Sequence, residues 1–245
     1  MNKMVALWAH PRSRSTALER IFIERPDFEV FHEPFALTAF NKDSAIPHES
    51  LENDMPKTYE DVKSMLHKAR EKKHVFHKDM CYHCLSSLLK DPHFLLEQEN
   101  IFLIREPAAT IASHYKIYPG MPCEAIGYKA LYEVFCYLTK LTGKIPFVVN
   151  ADIFAVQPTS TLKAICHHLH IPFIESAMQW KPGCPEQWLN WRNWHKDAEC
   201  SSKIHAPSSS IDLDALESEP RLMEYYHYHR PFYERMNQFS IRGNT

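Results

Sequence analysis

Two patterns of apolar and polar residues alternate along this chain. Short apolar runs read as buried strands over 3–9 (KMVALWA), 28–33 (FEVFHE), 74–80 (HVFHKDM), 100–106 (NIFLIRE) and 145–154 (IPFVVNADIF). Between them, apolar residues recur at helical spacing over 15–25, 58–73, 107–118, 123–142 and 158–170. Thr58 and Asp61 form a capping-box-like start, and Pro107 takes a favoured first helical position. Ser13 or Ser15 is placed to cap the first helix. SSLLKDPHFLLEQE reads as a helix broken at Pro92, residues 41–57 as a polar surface loop, and 218–238 as a closing helical stretch in which 224–236 is a helix pair broken at Pro231.

Strands that alternate with helices predict an α/β fold, a parallel β-sheet with helices on both faces. Ligands in such sheets sit at the carboxyl ends of the strands. The loop after the first strand, Glu33, His77 to Asp79, and Arg105 all fall at such ends. The expected organisation is a single domain over 1–245. It has a core at about 3–170 and an aromatic, helical C-terminal part at about 171–245.

Composition narrows the function. A net charge of -2 disfavours a general nucleic-acid binder, because phosphate backbones require a basic face. No apolar stretch reaches the roughly 20 residues of a membrane helix, and MNKMVALWAHPR does not fit a secretory signal. Seven scattered cysteines fit reduced thiols in a cytoplasmic protein. Cys81 and Cys84 form a lone C-x-x-C, short of the four ligands of a structural zinc site, so no metal is expected.

The candidate chemistry lies in two stretches. In LWAHPRSRSTALERIF, a strand gives way to a polar loop and then a helix, the arrangement of an anion cradle. Arg12 and Arg14 supply charge, and Ser13, Ser15 and Thr16 supply hydroxyls. G-x-x-x-x-G-K-[ST] is absent, which argues against a nucleotide triphosphatase. In IFLIREPAATIASHY, Arg105 ends a strand and Ser113 follows two turns into the next helix.

Together the two stretches resemble the sulfotransferase family. Its first motif, P-[KR]-[ST]-x-[ST]-[ST], is matched by Pro11-Arg12-Ser13-Arg14-Ser15-Thr16. Its second, R-[DE]-P-x-x-x-x-x-S, is matched by Arg105-Glu106-Pro107 with Ser113. The resemblance covers roughly residues 3 to 170. It implies a P-loop-like fold and the donor 3′-phosphoadenosine 5′-phosphosulfate (PAPS). Arg12, Ser13, Ser15 and Thr16 would hold the 5′-phosphosulfate, and Arg105 with Ser113 the 3′-phosphate. Arginine at position 12 is nearer the carbohydrate-type and bacterial branches. Arg14 stands where many members carry glycine, and the glycine-rich lid of some branches has no match; Lys203 is a candidate for that role.

The acceptor, a small molecule or carbohydrate, must lose a proton. Glu33 resembles the E-P step of the carbohydrate-type branch and is the favoured base. His77 lies where the small-phenol branch carries its histidine, and His32 and Lys78 are supporting candidates. Trp188, Trp191 and Trp194 recur every three residues, as on one helix face lining a core or an acceptor pocket. The alternatives to a PAPS-dependent sulfotransferase are a non-catalytic nucleotide-binding protein of the same fold and a P-loop small-molecule kinase.

Overall fold

The first strand, β1 (Met4–Ala9), is buried at every position, as a strand covered on both faces must be. Its residues alternate between two apolar clusters. Met4, Ala6 and Trp8 join one, and Val5, Leu7 and Ala9 join the other. The computed structural model describes residues 1–39, 56–206, 216 and 218–241. The 41–57 loop therefore lies outside the described residues except for positions 56 and 57.

Around β1 run β2 (Phe28–His32), β3 (His74–Met80), β4 (Glu99–Ile104) and β5 (Phe147–Asn150). All pairs are parallel, in the order β2-β3-β1-β4-β5. The chain steps outward from β1 to β2, returns to β3, then crosses to β4. That reversal opens a crevice at the carboxyl ends of β1 and β4.

The helices are α1 (Ser15–Ile23), α2 (Ala36–Ala39), α3 (Tyr59–Arg70), α4 (Leu85–Leu88), α5 (Pro92–Leu96) and α6 (Pro107–Tyr115). They continue with α7 (Tyr128–Thr142), α8 (Ala151–Val156), α9 (Pro158–His168), α10 (Lys196–Glu199) and α11 (Pro220–Asn237). Thr58 caps α3 by accepting from the Asp61 amide, and Asp91 caps α5 ahead of Pro92.

Several expectations need correction. The run 145–154 is a strand only to Asn150, whose Oδ1 accepts from the amides of Asp152 and Ile153 and so starts α8. The run 123–142 divides at Gly127, which takes φ 86° between a 3₁₀ turn and α7. A Cβ there would lie 3.2–3.3 Å from Tyr82, His10 and Pro11. α11 runs through Pro231 as one helix. Its packing outweighs the roughly 3 kcal/mol that an interior proline costs. Leu222, His229 and Met236 are buried, and Asn150 Nδ2 donates to Tyr233 Oη and Asn237 Oδ1. No helix among the described residues is long and apolar enough to cross a membrane.

Candidate functional site

β1 delivers the chain into the loop His10–Arg14 at the crevice. Arg12 (φ 60°) and Arg14 (φ 65°) both adopt left-handed backbone, which costs a non-glycine residue about 1–2 kcal/mol. Arg14 thus occupies the conformation for which glycine is suited. It is also the cap position of α1, with no side-chain cap, so neither Ser13 nor Ser15 fills that role. Left-handed Arg14 followed by helical Ser15 makes a concave backbone nest that suits an anion. The amides of Arg14, Ser15 and Thr16 have no backbone acceptor among the described residues. They open the N-terminus of α1, where the helix dipole is positive.

The two arginine-bearing loops are joined directly. Arg105 Nη1 donates to the Arg12 carbonyl at 2.9 Å, and Arg12 Nε donates to Ser113 Oγ at 3.0 Å. His10 locks the junction: its Nε2 accepts from the Arg105 amide at 3.1 Å and its Nδ1 donates to the Pro11 carbonyl at 3.0 Å. Burial pushes His10 down to about 3, so it stays neutral in this role. Its ring stacks on Tyr128, whose hydroxyl donates to the Arg105 carbonyl. Asp152 accepts from the Glu106 amide at 3.1 Å and lies 3.6 Å from Arg105 Nε. Arg105 Nε and Ser13 Oγ are both buried without a hydrogen-bond partner.

A cavity of about 1090 Å³ opens over this junction. Of the residues singled out in the sequence, Arg12, Arg14, Ser15, Thr16, Glu33, Arg105 and Ser113 line it. Two expected residues do not. Ser13 is fully buried beneath the loop. His77 lies three residues before the end of β3 and points into the core, its Nε2 donating to Gln98 Oε1 at 2.5 Å and its ring meeting Trp8 edge-on. Burial also lowers its pKa. A base role at the cleft does not fit that placement.

Glu33 leaves β2 with a left-handed backbone (φ 47°) and bonds Lys78 Nζ. Burial works to raise its pKa, but Lys78 and then His32 hold it well below the usual carboxylate range. Burial lowers the pKa of Arg12 and of Arg14, yet a guanidinium keeps its charge in proteins.

The opposite wall comes from the C-terminal part. Residues Glu186–Trp194 form a 3₁₀ helix with a kink at Trp191. A repeat of three tryptophans at three-residue spacing fits that helix, which has three residues per turn, and not an α-helical face. Trp188 is buried and donates to Glu19 Oε2 at 3.0 Å, while Trp191 and Trp194 line the cleft. Arg12 Nη1 donates to the Trp194 carbonyl at 3.0 Å, and Arg14 Nη1 to the His205 carbonyl at 3.3 Å. Lys203 also lines the cleft.

Sequence reasoning missed His195. Its Nε2 lies 2.9 Å from His32 Nε2 and its Nδ1 3.4 Å from Thr16 Oγ1. His32 Nδ1 in turn lies 2.7 Å from buried Glu19 Oε2. Trp188 and Trp194 drew attention to this stretch, but no spacing marked the histidine after them. His32, Glu33 and His195 are the ligand-type groups that converge among the described residues, and Cys81 and Cys84 join no such group. Both thiols are buried, and burial raises their pKa.

Comparison with known proteins follows the same lines. Two Arabidopsis thaliana proteins, branched-chain-amino-acid aminotransferase-like proteins 2 and 1, are 29% and 30% identical over 212 residues. The match takes in 84% of this chain, and the chain spans 37% of the length of each relative. The sulfotransferase domain of the Synechococcus PCC 7002 olefin synthase superposes with TM-score 0.56 at 17% identity, covering 93% of this chain and 95% of that one. A sulfotransferase from Alicyclobacillus acidocaldarius gives 0.58 at 10% identity over 98% of both chains. These two structures share the fold. The family model for the sulfotransferase domain matches residues 2–238, and the chain belongs to that family.

Proposed function

We propose that the chain moves a sulfuryl group from PAPS to a hydroxyl of a small-molecule or carbohydrate acceptor. The observation that carries this reading is the joining of Arg12 and Arg105, from separate strand ends, over one set of unpaired amides. Arg105, whose Nε is buried without a hydrogen-bond partner beside Asp152, lines the cleft at that junction and fits an anionic group there.

Arg12 and the amides and hydroxyls of Ser15 and Thr16 hold the 5′-phosphosulfate, with Arg14 at its edge. Arg105 and Ser113 hold the 3′-phosphate. Sulfuryl transfer resembles phosphoryl transfer: an in-line displacement in which the protein positions groups and neutralises charge. The bound donor supplies the sulfuryl group and a leaving phosphate. Arg12 and the α1 amides meet the charge that grows on that phosphate. Glu33 stands at the cleft as the sequence reading expects, but Lys78 Nζ is bonded to its Oε1, so the carboxylate is engaged as a counter-ion. Its role is to fix Lys78 beside the sulfuryl oxygens.

Calorimetric titration tests the donor assignment. The chain binds 3′-phosphoadenosine 5′-phosphate at least about tenfold more tightly than adenosine 5′-monophosphate, since a charged hydrogen bond contributes about 1.5–3 kcal/mol. Arg105→Ala removes that preference and leaves the monophosphate nearly unchanged. Equal losses for both nucleotides would refute the assignment of Arg105.

A further inference from the structure

Four residues from three parts of the chain form a line of contacts running from the cleft into the core. Thr16 and His195 stand at the cleft. His195 Nδ1 lies 3.4 Å from Thr16 Oγ1, His195 Nε2 lies 2.9 Å from His32 Nε2, and His32 Nδ1 lies 2.7 Å from Glu19 Oε2. Glu19 is fully buried and also accepts from Trp188 Nε1 at 3.0 Å. Glu33 Oε1 lies 3.6 Å from His32 Nε2, so the far imidazole sits between two carboxylates.

The protons along this line are fixed by their partners. A carboxylate only accepts, so His32 carries its proton on Nδ1. A neutral ring protonated there has a bare lone pair on Nε2. Two facing Nε2 atoms at hydrogen-bond distance require one proton between them, and it belongs to His195. That leaves the Nδ1 of His195 bare, at the edge of the cleft beside Thr16. Burial first, then His32 and Lys78, pushes His195 down to about 2, consistent with a neutral ring at rest.

We infer that His195 takes the acceptor's proton and that His32 and Glu19 carry the resulting charge inward. This rests on the sulfuryl-transfer reading above. As the acceptor oxygen bonds to sulfur, its proton passes to His195 Nδ1. The bond from sulfur to the bridging oxygen breaks, and the leaving 3′-phosphoadenosine 5′-phosphate keeps the electron pair. His195 passes its Nε2 proton to His32 Nε2. His32 becomes an imidazolium between Glu19 and Glu33, and His195 ends neutral, protonated on Nδ1. The same nitrogen-to-nitrogen contact serves both states with the donor and acceptor exchanged, so no heavy atom needs to move. The transferred proton leaves by the reverse path once product has gone.

A metal centre on His32, Glu33 and His195 fits less well. Lys78 occupies Glu33, and its charge would repel a cation. Two imidazole nitrogens on one tetrahedral zinc lie about 3.3 Å apart, given zinc–nitrogen bonds of about 2.0–2.1 Å, against the 2.9 Å seen here.

His195 is then the catalytic residue, and His32 and Glu19 are positioning residues behind it. The test begins with histidine tautomers, read in the ¹⁵N-histidine-labelled full chain by long-range proton–nitrogen correlation. Signals are assigned by their loss in His195→Ala and in His32→Asn. The expected pattern at pH 7 is His32 protonated on Nδ1 and His195 on Nε2, both neutral. His195 protonated on Nδ1, or stoichiometric zinc shifting both rings, overturns the relay. In turnover, His195→Ala lowers kcat by about 10²–10⁴-fold, keeps the Kd for 3′-phosphoadenosine 5′-phosphate within about threefold, and recovers activity with added imidazole. Should that variant fail to fold, His195→Gln takes its place. Full turnover without His195, or loss that imidazole does not rescue, overturns its role. A chain with the expected tautomers that releases no product nucleotide for any hydroxyl acceptor overturns the sulfuryl-transfer reading and this role with it. The wrong tautomers in an active enzyme overturn the relay alone.

Discussion

The two walls of the cleft are built differently. One is made of strand ends and helix starts: the loop after β1, the Arg105 turn after β4, and the α8 start after β5. These are cross-tied through His10, Tyr128 and Asp152 to the backbone of Arg105 and Glu106. The other is a 3₁₀ segment and a short helix, anchored by buried Trp188 to Glu19 and by His195 to His32, and tied at the cleft by Arg12 to Trp194 and Arg14 to His205. On the first wall, charge is held on a frame set by the sheet. On the second, Trp188 and His195 anchor the segment, and its cleft edge is tied by the same arginines that would bind the donor. On the proposed reading the first wall is a fixed anion cradle, and the cleft edge of the second is a cover whose attachment depends on what the arginines hold.

That contrast can be broken most forcefully at Arg12, which belongs to both walls. On the proposed reading Arg12→Ala lowers turnover by about 10²-fold or more, since it would remove the charge that meets the leaving phosphate. Its melting temperature should fall only slightly. A large stability loss with unchanged turnover would make Arg12 a strut between the walls and not part of the cradle.

Acid should weaken the frame next. Burial holds His10 at about 3, and burial with the nearby Arg12 holds His114 at about 4, both below the ordinary 6.5. The unfolded chain therefore binds more protons between about pH 4 and 6.5. Stability is fully present above that window and is lost as pH falls through it. Chemical denaturation across the window should show a decline on the order of a few kcal/mol, smaller in His10→Gln. A flat profile would contradict the neutral locking role of His10.

Gly127→Ala should cost on the order of 1–2 kcal/mol, because a side chain is strained at this φ and crowds His10 and Pro11. Thermal melts measure it, and an unchanged midpoint would show that the loop can yield. The smallest effect belongs to the second wall. Asp197 is almost fully exposed and 3.8 Å from Arg12. Asp197→Asn should change stability by less than about 0.5 kcal/mol. A clear drop in melting temperature would mean that the cover is pinned as firmly as the cradle.

How much of this could be read from the chain follows the same division. Periodicity and the residues at strand ends located β1 to β4, Arg12, Thr16, Arg105 and Ser113, because local strand–loop–helix chemistry fixes them. His77 lies inside the 74–80 strand that the pattern itself predicts, and its ring meets Trp8 and Phe35 in the core, a placement that its likeness to a strand-end histidine did not register. The strand after α7 was read too long because Asn150 ends it through a side-chain cap, a contact that apolar patterning does not record. His195 was missed because only tertiary packing brings it against His32, 163 positions away in sequence. Arg14 was noted as a departure from glycine, but its left-handed backbone is visible only in three dimensions.

The central claim is that this cradle releases a sulfuryl group from PAPS. Chromatographic measurement of 3′-phosphoadenosine 5′-phosphate formed from PAPS, with and without a panel of hydroxyl acceptors, tests it most directly. The account predicts nucleotide release that at least one acceptor accelerates and that Arg12→Ala abolishes. Tight nucleotide binding with the donor left intact under every acceptor, or release undiminished in Arg12→Ala, would contradict it.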